Sequence, residues 1–427
     1  MGTTITRPSA GGTAVAAEEA ASAWFLVCAA VASTLVTLVW NLRGATRSYS
    51  YDESVTVGLF VDADLLTPLT SQHIANNHPA FSFLEQLVWR LGGTTEAWMR
   101  VLPASFAALS VGVLVWWCSQ RWGVLSGLTA GLVLGTSPLF VHFGQLARGY
   151  SLLVLCGLVA TILVFELLTP GPSTRACATL YVVIAAIGLA THLYMAIVLA
   201  GHVGIVISRR SLSPNWLIRW AGATALALMV YLPALPERRP GNFRPGFPLD
   251  TAYEVLGSTP ASVAILGAVC VAAVWAHRQH FLVFSLPLAL LAVIWVGLHP
   301  LDLYPRFFVI FVPAVAVACG WAVSKGRWLV LPLAVACVAM LELTAQTDSG
   351  IRPTAELVTS LASDGIAVCA VGREALVGYG PTVPEFSASR DCDVIAIIGS
   401  WEPNGLDAAR DRLGTSVTLG DVEIVGS

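Results

Sequence analysis

Charge is scarce in this chain. Only 11% of its 427 residues are Asp, Glu, Lys or Arg, and lysine occurs once, at Lys325. Such a composition excludes an ordinary soluble domain. There is no Walker loop and no GxGxxG after a strand, so ATP-driven transport by this chain is not expected. CxxC pairs and mixed His/Cys clusters are also missing, which removes the usual zinc patterns. No repeat of apolar spans is visible, and Gly/Pro-broken spans do not pair between halves, which argues against a secondary transporter. The formal net charge of -3 gives no reason to expect a nucleic-acid partner.

What is abundant is apolar sequence. Hydrophobic residues make up 56% of the chain, and its mean hydropathy is +0.74. A helix needs about 20 apolar residues to cross a bilayer, and about eleven candidate spans can be marked. They are 24–40, 101–117, 123–141, 150–168, 177–190, 193–208, 216–235, 260–276, 281–298, 306–323 and 327–344. The expected fold is an α-helical polytopic membrane protein with amphipathic helices in its first outer loop and a small C-terminal α/β domain. Residues 1–23, with Glu18 and Glu19 and one arginine, read as a disordered cytoplasmic tail rather than a cleaved signal. Residues 24–344 form the membrane domain and 345–427 an extracytoplasmic domain. The inner loops are short and basic without acids, which favours a cytoplasmic N-terminus.

The first outer loop, 41–100, contains the sharpest feature. Asp52 and Glu53 are adjacent just beyond the first span. Two neighbouring carboxylates near a bilayer are expensive through repulsion and desolvation. They read either as a solvated turn or as a general base with a partner that tunes it or helps hold a metal. Val55–Val61 and Ala80–Leu91 have apolar residues at helical spacing and are expected to lie on the membrane surface. Between them, Asn76 and Asn77 precede His78 and Pro79. One of these asparagines suits a helix cap, Asn77 and His78 also suit sugar or phosphate contacts, and His78 alternatively suits a proton shuttle. A second outer loop, 236–259, is rich in Pro, Gly and Arg and is suited to a lid or a substrate-binding loop.

Arg100, Arg148 and Arg306 each stand at an outer span end. An isolated interfacial arginine ordinarily snorkels to headgroups. Three of them can instead converge on one phosphate. His192 and Tyr194 interrupt an apolar stretch and read as a turn or as pocket residues. Ile366–Val371, Val394–Ile398 and Val422–Val425 look like strands, and Glu356–Ala362 and Leu406–Leu413 like helices. Cys369 and Cys392 are close enough in sequence for a disulfide if that region is extracytoplasmic, although spacing alone does not fix the pairing.

One ordered set of motifs carries a resemblance. It comprises the Asp52-Glu53 pair, Asn77-His78-Pro79, Arg100 three residues before Pro103, Ala147-Arg148-Gly149-Tyr150-Ser151, His192 with Tyr194, and Tyr304-Pro305-Arg306-Phe307-Phe308. Over roughly residues 20–325 this resembles the GT-C membrane glycosyltransferases, in particular the protein O-mannosyltransferases and lipid A aminoarabinose transferases. Many relatives have His-Pro-Pro where this chain has His78-Pro79-Ala80. The resemblance implies a polyprenyl-phosphate sugar donor and an acceptor that is a protein, glycan or lipid. It implies Asp52 as base and Glu53 as its neighbour, with Arg148 and Arg306 on the donor phosphate and His78 and His192 in the pocket. Arg100, Asn77, Tyr150, Tyr194 and Tyr304 complete the expected binding set. A divalent metal, Mg or Mn, is left open. The expected location is a bacterial inner membrane with the site on the outer face. An arginine-rich, lysine-poor composition points to a GC-rich bacterium, with mannose or arabinose as the sugar. The competing readings are a flippase for a lipid-linked glycan and a non-catalytic cell-envelope assembly subunit.

Overall fold

The computed structural model describes residues 10–71, 77–169, 175–233, 305–341, 349–371, 373–380, 384, 392–398, 415–419 and 422–426. The chain is mainly helical. Helix α1 (Ala10–Asn41) leads to a long polar loop, which holds α2 (Tyr51–Thr56), a π-helical turn (Val57–Val61), α3 (Thr67–Thr70), α4 (Pro79–Arg90) and α5 (Glu96–Met99). The apolar body follows as α6 (Val101–Trp122), α7 (Val124–Thr136), α8 (Pro138–Gly144), α9 (Tyr150–Leu168), α10 (Arg175–Thr191), α11 (Met195–Ser208) and α12 (Pro214–Tyr231). It resumes with a 3-10 turn (Pro305–Phe311), α13 (Val312–Lys325) and α14 (Val330–Leu341).

Four helical stretches among the described residues are long and apolar enough to cross a membrane: Ala23–Asn41, Glu96–Trp122, Tyr150–Leu168 and Phe308–Lys325. The stretch read as one span over 123–141 bends by 67° between α7 and α8. The cause is Pro138, which cannot continue the helix hydrogen-bond ladder. Helices α10 and α11 are shorter, as their sequences imply. The expected spans 260–276 and 281–298 lie outside the described residues, as does the loop 236–259.

Two apolar clusters hold the body together. One joins α6, α7, α9, α13 and α14 around Leu114, Val115, Leu134, Val312 and Cys319. The other joins α9 to α12 around Leu153, Tyr181, Met195 and Trp216. Close approach is needed at the α7–α13 crossing. A Cβ on Gly320 would lie 2.6 Å from the Ser126 carbonyl oxygen, so a small residue is required there. His202 ties α9, α10 and α11 together. Its Nε2 is 3.0 Å from Thr161 Oγ1 and its Nδ1 is 3.1 Å from Tyr181 Oη.

After the body comes a small α/β unit, with α15 (Ile351–Ser363) on a mixed sheet of β1 (Val368–Val371), β2 (Val394–Ile398), β3 (Thr415–Leu419) and β4 (Val422–Gly426). The strand order is β1-β2-β4-β3. Strands β1 and β2 run parallel, with Val368 opposite Val394, and the other pairings are antiparallel. Strand β3 was not expected, because Thr415–Leu419 alternates polar and apolar residues too briefly to stand out. The expected helix Leu406–Leu413 lies outside the described residues. Ile351, Ala355, Val358, Leu376 and Ala396 form the core of this unit. Cys369 and Cys392 are joined in a disulfide, with Cα atoms 5.9 Å apart.

Candidate active site

The site is built from the polar loop that follows α1. Ser50 caps α2 in a capping box, readable in the sequence as Ser-x-x-Glu. Ser50 Oγ accepts from the Glu53 amide at 3.4 Å, and Glu53 Oε2 accepts from the Ser50 amide at 2.8 Å. The two acids therefore sit in the first turn of a helix, where the helix dipole favours negative charge. Adjacent positions on a helix diverge by about 100°, so the two carboxylates point different ways.

Glu53 points inward and is completely buried. Its Oε1 accepts from Arg100 Nε at 2.9 Å and from the Ala147 amide at 2.7 Å. Its Oε2 accepts from Arg100 Nη2 at 2.8 Å. Burial raises the Glu53 carboxyl, but the Arg100 charge and these donated hydrogen bonds outweigh it and hold the group below the usual carboxylate range. Arg100 is consumed in the same way. Besides Glu53, it donates to the carbonyls of Ala45 (2.9 Å), Arg47 (2.7 Å) and Ser48 (2.9 Å). The guanidinium has five N–H donors, and it makes five bonds. Arg100, expected at a phosphate, has no donor left for one and instead clamps α2 to the start of α6.

Asp52 points outward, with its side chain 38% exposed. Arg306 Nη1 donates to its Oδ2 at 3.2 Å, and Arg148 Nη2 is 4.0 Å from the same oxygen. Arg148 is almost fully buried at 2% exposure. It donates to Thr56 Oγ1 at 2.7 Å and to the Asp52 carbonyl at 3.3 Å, and its Nη2 meets His78 Nε2 at 2.9 Å.

Behind the arginine lies a cluster of rings. His78 is 4.9 Å from Tyr150 and 5.0 Å from His192, and His192 stacks on Tyr194 at 4.4 Å between centroids. Burial, reinforced by the Arg148 charge, holds the His78 imidazole well below its ordinary value. Burial and the same arginine lower His192 to about 3. Both rings are neutral at physiological pH. Gly149 makes room for them: a Cβ there would fall 2.7 Å from His78 Nδ1 and 2.8 Å from Thr191 Cγ2.

Seven sequence candidates thus meet: Asp52, His78, Arg148, Tyr150, His192, Tyr194 and Arg306. Asn77 does not join them. Its Nδ2 donates to the carbonyls of Pro68 (2.7 Å) and Ser71 (2.9 Å), which closes the loop, and His78 rather than an asparagine takes the N-cap position of α4. Tyr304 lies outside the described residues. Two residues were missed. Thr56 carries no sequence signal beyond its place one turn after Asp52. Glu85 could have been noticed as a lone acid on the apolar face of α4 with Phe81. It is fully buried, and among the described residues neither of its oxygens has a hydrogen-bond partner. Burial and the Glu53 charge raise its carboxyl well above the usual range. Among the described residues no three His, Cys, Asp or Glu side chains gather as a metal set. The two guanidiniums facing Asp52 fit an anion and repel a divalent cation.

Two solved structures share this architecture. ArnT from Cupriavidus metallidurans in the apo state superposes with a TM-score of 0.61 at 12% identity, over 95% of this chain and 98% of that one. The same protein bound to undecaprenyl phosphate gives 0.59 at 12% identity, over 98% of each chain. The chain has the fold of ArnT. No protein-family model and no curated protein sequence matches it. The likeness therefore lies in the fold, and the chemistry has to be argued from the site.

Proposed function

We propose that the chain is an inverting glycosyltransferase that moves a sugar, mannose or arabinose, from a polyprenyl-phosphate donor to a hydroxyl of a protein, glycan or lipid. The observation that carries this reading is the Asp52 carboxylate held between Arg306 at 3.2 Å and Arg148 at 4.0 Å, while its neighbour Glu53 is sealed away. A base and two cations at one partly open point suit a displacement that creates an anionic leaving group. Asp52 takes the proton of the acceptor hydroxyl, and the freed oxygen attacks the anomeric carbon. The bond from that carbon to the phosphate oxygen breaks, and polyprenyl phosphate leaves with the electron pair. Arg148 and Arg306 neutralise the charge that grows on the phosphate, in a setting of low dielectric. The donor is already activated, so no nucleotide fold is required. The fold likeness to ArnT, one of whose structures contains undecaprenyl phosphate, supports the donor class.

The proposed location is the inner membrane of a bacterium, with the site on its outer face. The Cys369–Cys392 disulfide supports that side, since such bonds persist in oxidising compartments. The α/β unit that contains it rests on α2, so both face the same compartment.

The test is transfer by purified protein in nanodiscs, with polyprenyl-phosphate mannose, arabinose and glucose as donors. Wild type is expected to release polyprenyl phosphate from one of them. Asp52→Asn is expected to lose at least about 10²-fold in rate, the usual contribution of a general base. Equal rates for the two proteins would remove Asp52 from the mechanism.

A further inference from the structure

Helix α2 has six residues. A helix that short has almost no stability of its own, so the position of Asp52 must be imposed from outside. Glu53 and Arg100 hold one side. The other side is held by residues about 300 positions later in the chain. Tyr379 Oη accepts from the Tyr49 amide at 2.6 Å and donates to Glu96 Oε1 at 3.0 Å. Ser349 Oγ donates to the Tyr49 carbonyl at 2.7 Å. Both backbone polar groups of Tyr49 are thus engaged by the C-terminal unit, one residue before the cap of α2. Within α2, Ser54 Oγ accepts from the Gly378 amide at 3.1 Å.

Backbones meet at this contact. A Cβ on Gly378 would lie 2.7 Å from the Ser54 carbonyl oxygen, and one on Gly58 would lie 2.6 Å from the carbonyl carbon of Val377. Gly58 belongs to the π-helical turn that follows α2, a feature frequent at functional sites. Arg352 completes the joint, donating to Glu96 Oε1 at 3.0 Å and to the Thr46 carbonyl at 3.3 Å. Tyr51 packs against the apolar core of the C-terminal unit.

We infer that Tyr379 is a positioning residue and that the C-terminal unit is a brace that sets Asp52 against Arg148 and Arg306. This rests on the reading of Asp52 as the base. Misplacement by about 1 Å at a reacting group can cost about 10²-fold in rate. A brace that acts on turnover rather than on donor affinity therefore leaves a characteristic split.

The experiment compares full-length wild type, Tyr379→Phe, Gly378→Ala and Val358→Ala in nanodiscs. Val358 is a buried core residue of the same unit, so its variant loosens the unit while the Tyr379 and Gly378 hydrogen bonds to Tyr49 and Ser54 stay in place. Hydrogen–deuterium exchange over residues 49–56 and transfer kinetics are both read. Tyr379→Phe keeps the ring and loses both hydroxyl bonds. It is expected to speed exchange of that peptide and to lower kcat by about 10-fold with the donor KM within about 2-fold. Gly378→Ala is expected to do the same, and Val358→Ala to lower stability with exchange at 49–56 unchanged. Unchanged exchange in Tyr379→Phe overturns the brace, as does faster exchange with wild-type kcat. Should wild type transfer no sugar from any donor, the functional reading falls. Exchange at 49–56 then decides the brace alone.

Discussion

Arg148 donates from Nη2 to His78 Nε2 over 2.9 Å. A guanidinium has no acceptor, so the histidine must present a lone pair at Nε2 and keep its proton on Nδ1. In this geometry His78 is a neutral acceptor that holds the arginine. His78→Phe keeps the ring volume and removes the acceptor. It is expected to raise the donor KM about 10-fold, the worth of one hydrogen bond to a charged group, with kcat less affected. A fall in kcat alone would place His78 in proton transfer.

The depressed imidazoles also shape stability. Their folded values lie below the unfolded value of about 6.5. As pH falls through that point, the unfolded chain takes up protons that the folded chain refuses. Stability is therefore lost on the acid side. Wild type is expected to lose thermal stability between about pH 7 and 5, and His78→Gln combined with His192→Gln to flatten that slope. Melting curves across this range, with the detergent held fixed, check it.

The acid pair is predicted to separate cleanly. Glu53→Ala strands the buried Arg100 guanidinium and is expected to cost about 3–5 kcal/mol of stability. Asp52→Asn breaks a partly exposed pair and is expected to cost less than about 1 kcal/mol while removing transfer. Thermal unfolding of both variants beside a transfer assay tests the division, and similar losses of stability would contradict it.

Glu85 gives a pH dependence of opposite sign. Its folded value is raised, so its contribution to stability is complete below the unfolded carboxylate value of about 4.3. It is lost as pH climbs towards the folded value. Glu85→Gln mimics the neutral acid. The variant is expected to match wild type near pH 4 and to exceed it at pH 8, as measured by denaturation at the two values.

Gly149→Ala tests the crowding behind Arg148. The new methyl would meet His78 Nδ1 and Thr191, and the ring would have to move. The expected result is a donor KM raised at least as far as in His78→Phe, with the protein still folded. A wild-type KM would mean that the pocket has slack.

Much of the site was legible in the sequence because its residues are chemically conspicuous. Asp52, Arg148 and Arg306 are charges in a chain that has few, His78 stands in a polar cluster before Pro79, and His192 and Tyr194 interrupt apolar text. The Ser50–Glu53 capping box could be read from spacing alone. What could not be read was which partner each charge takes. Glu53 and Asp52 look equivalent as neighbours, yet one turns into the core and the other towards Arg306. Arg100 and Arg148 look equivalent as span-end arginines, yet Glu53 and three carbonyls use every donor of the first.

The sequence by itself therefore determined the membrane-protein class, the polar loop after the first span and the residue types at the site. Composition and helical spacing act locally, and a scarce charge is visible wherever it stands. Only the tertiary structure decided that Glu53 is a clamp, that Glu85 is buried without a partner, and that Tyr379 and Gly378 reach α2 from the far end of the chain. Those assignments depend on burial and on hydrogen bonds between residues far apart in sequence, and no local pattern encodes them.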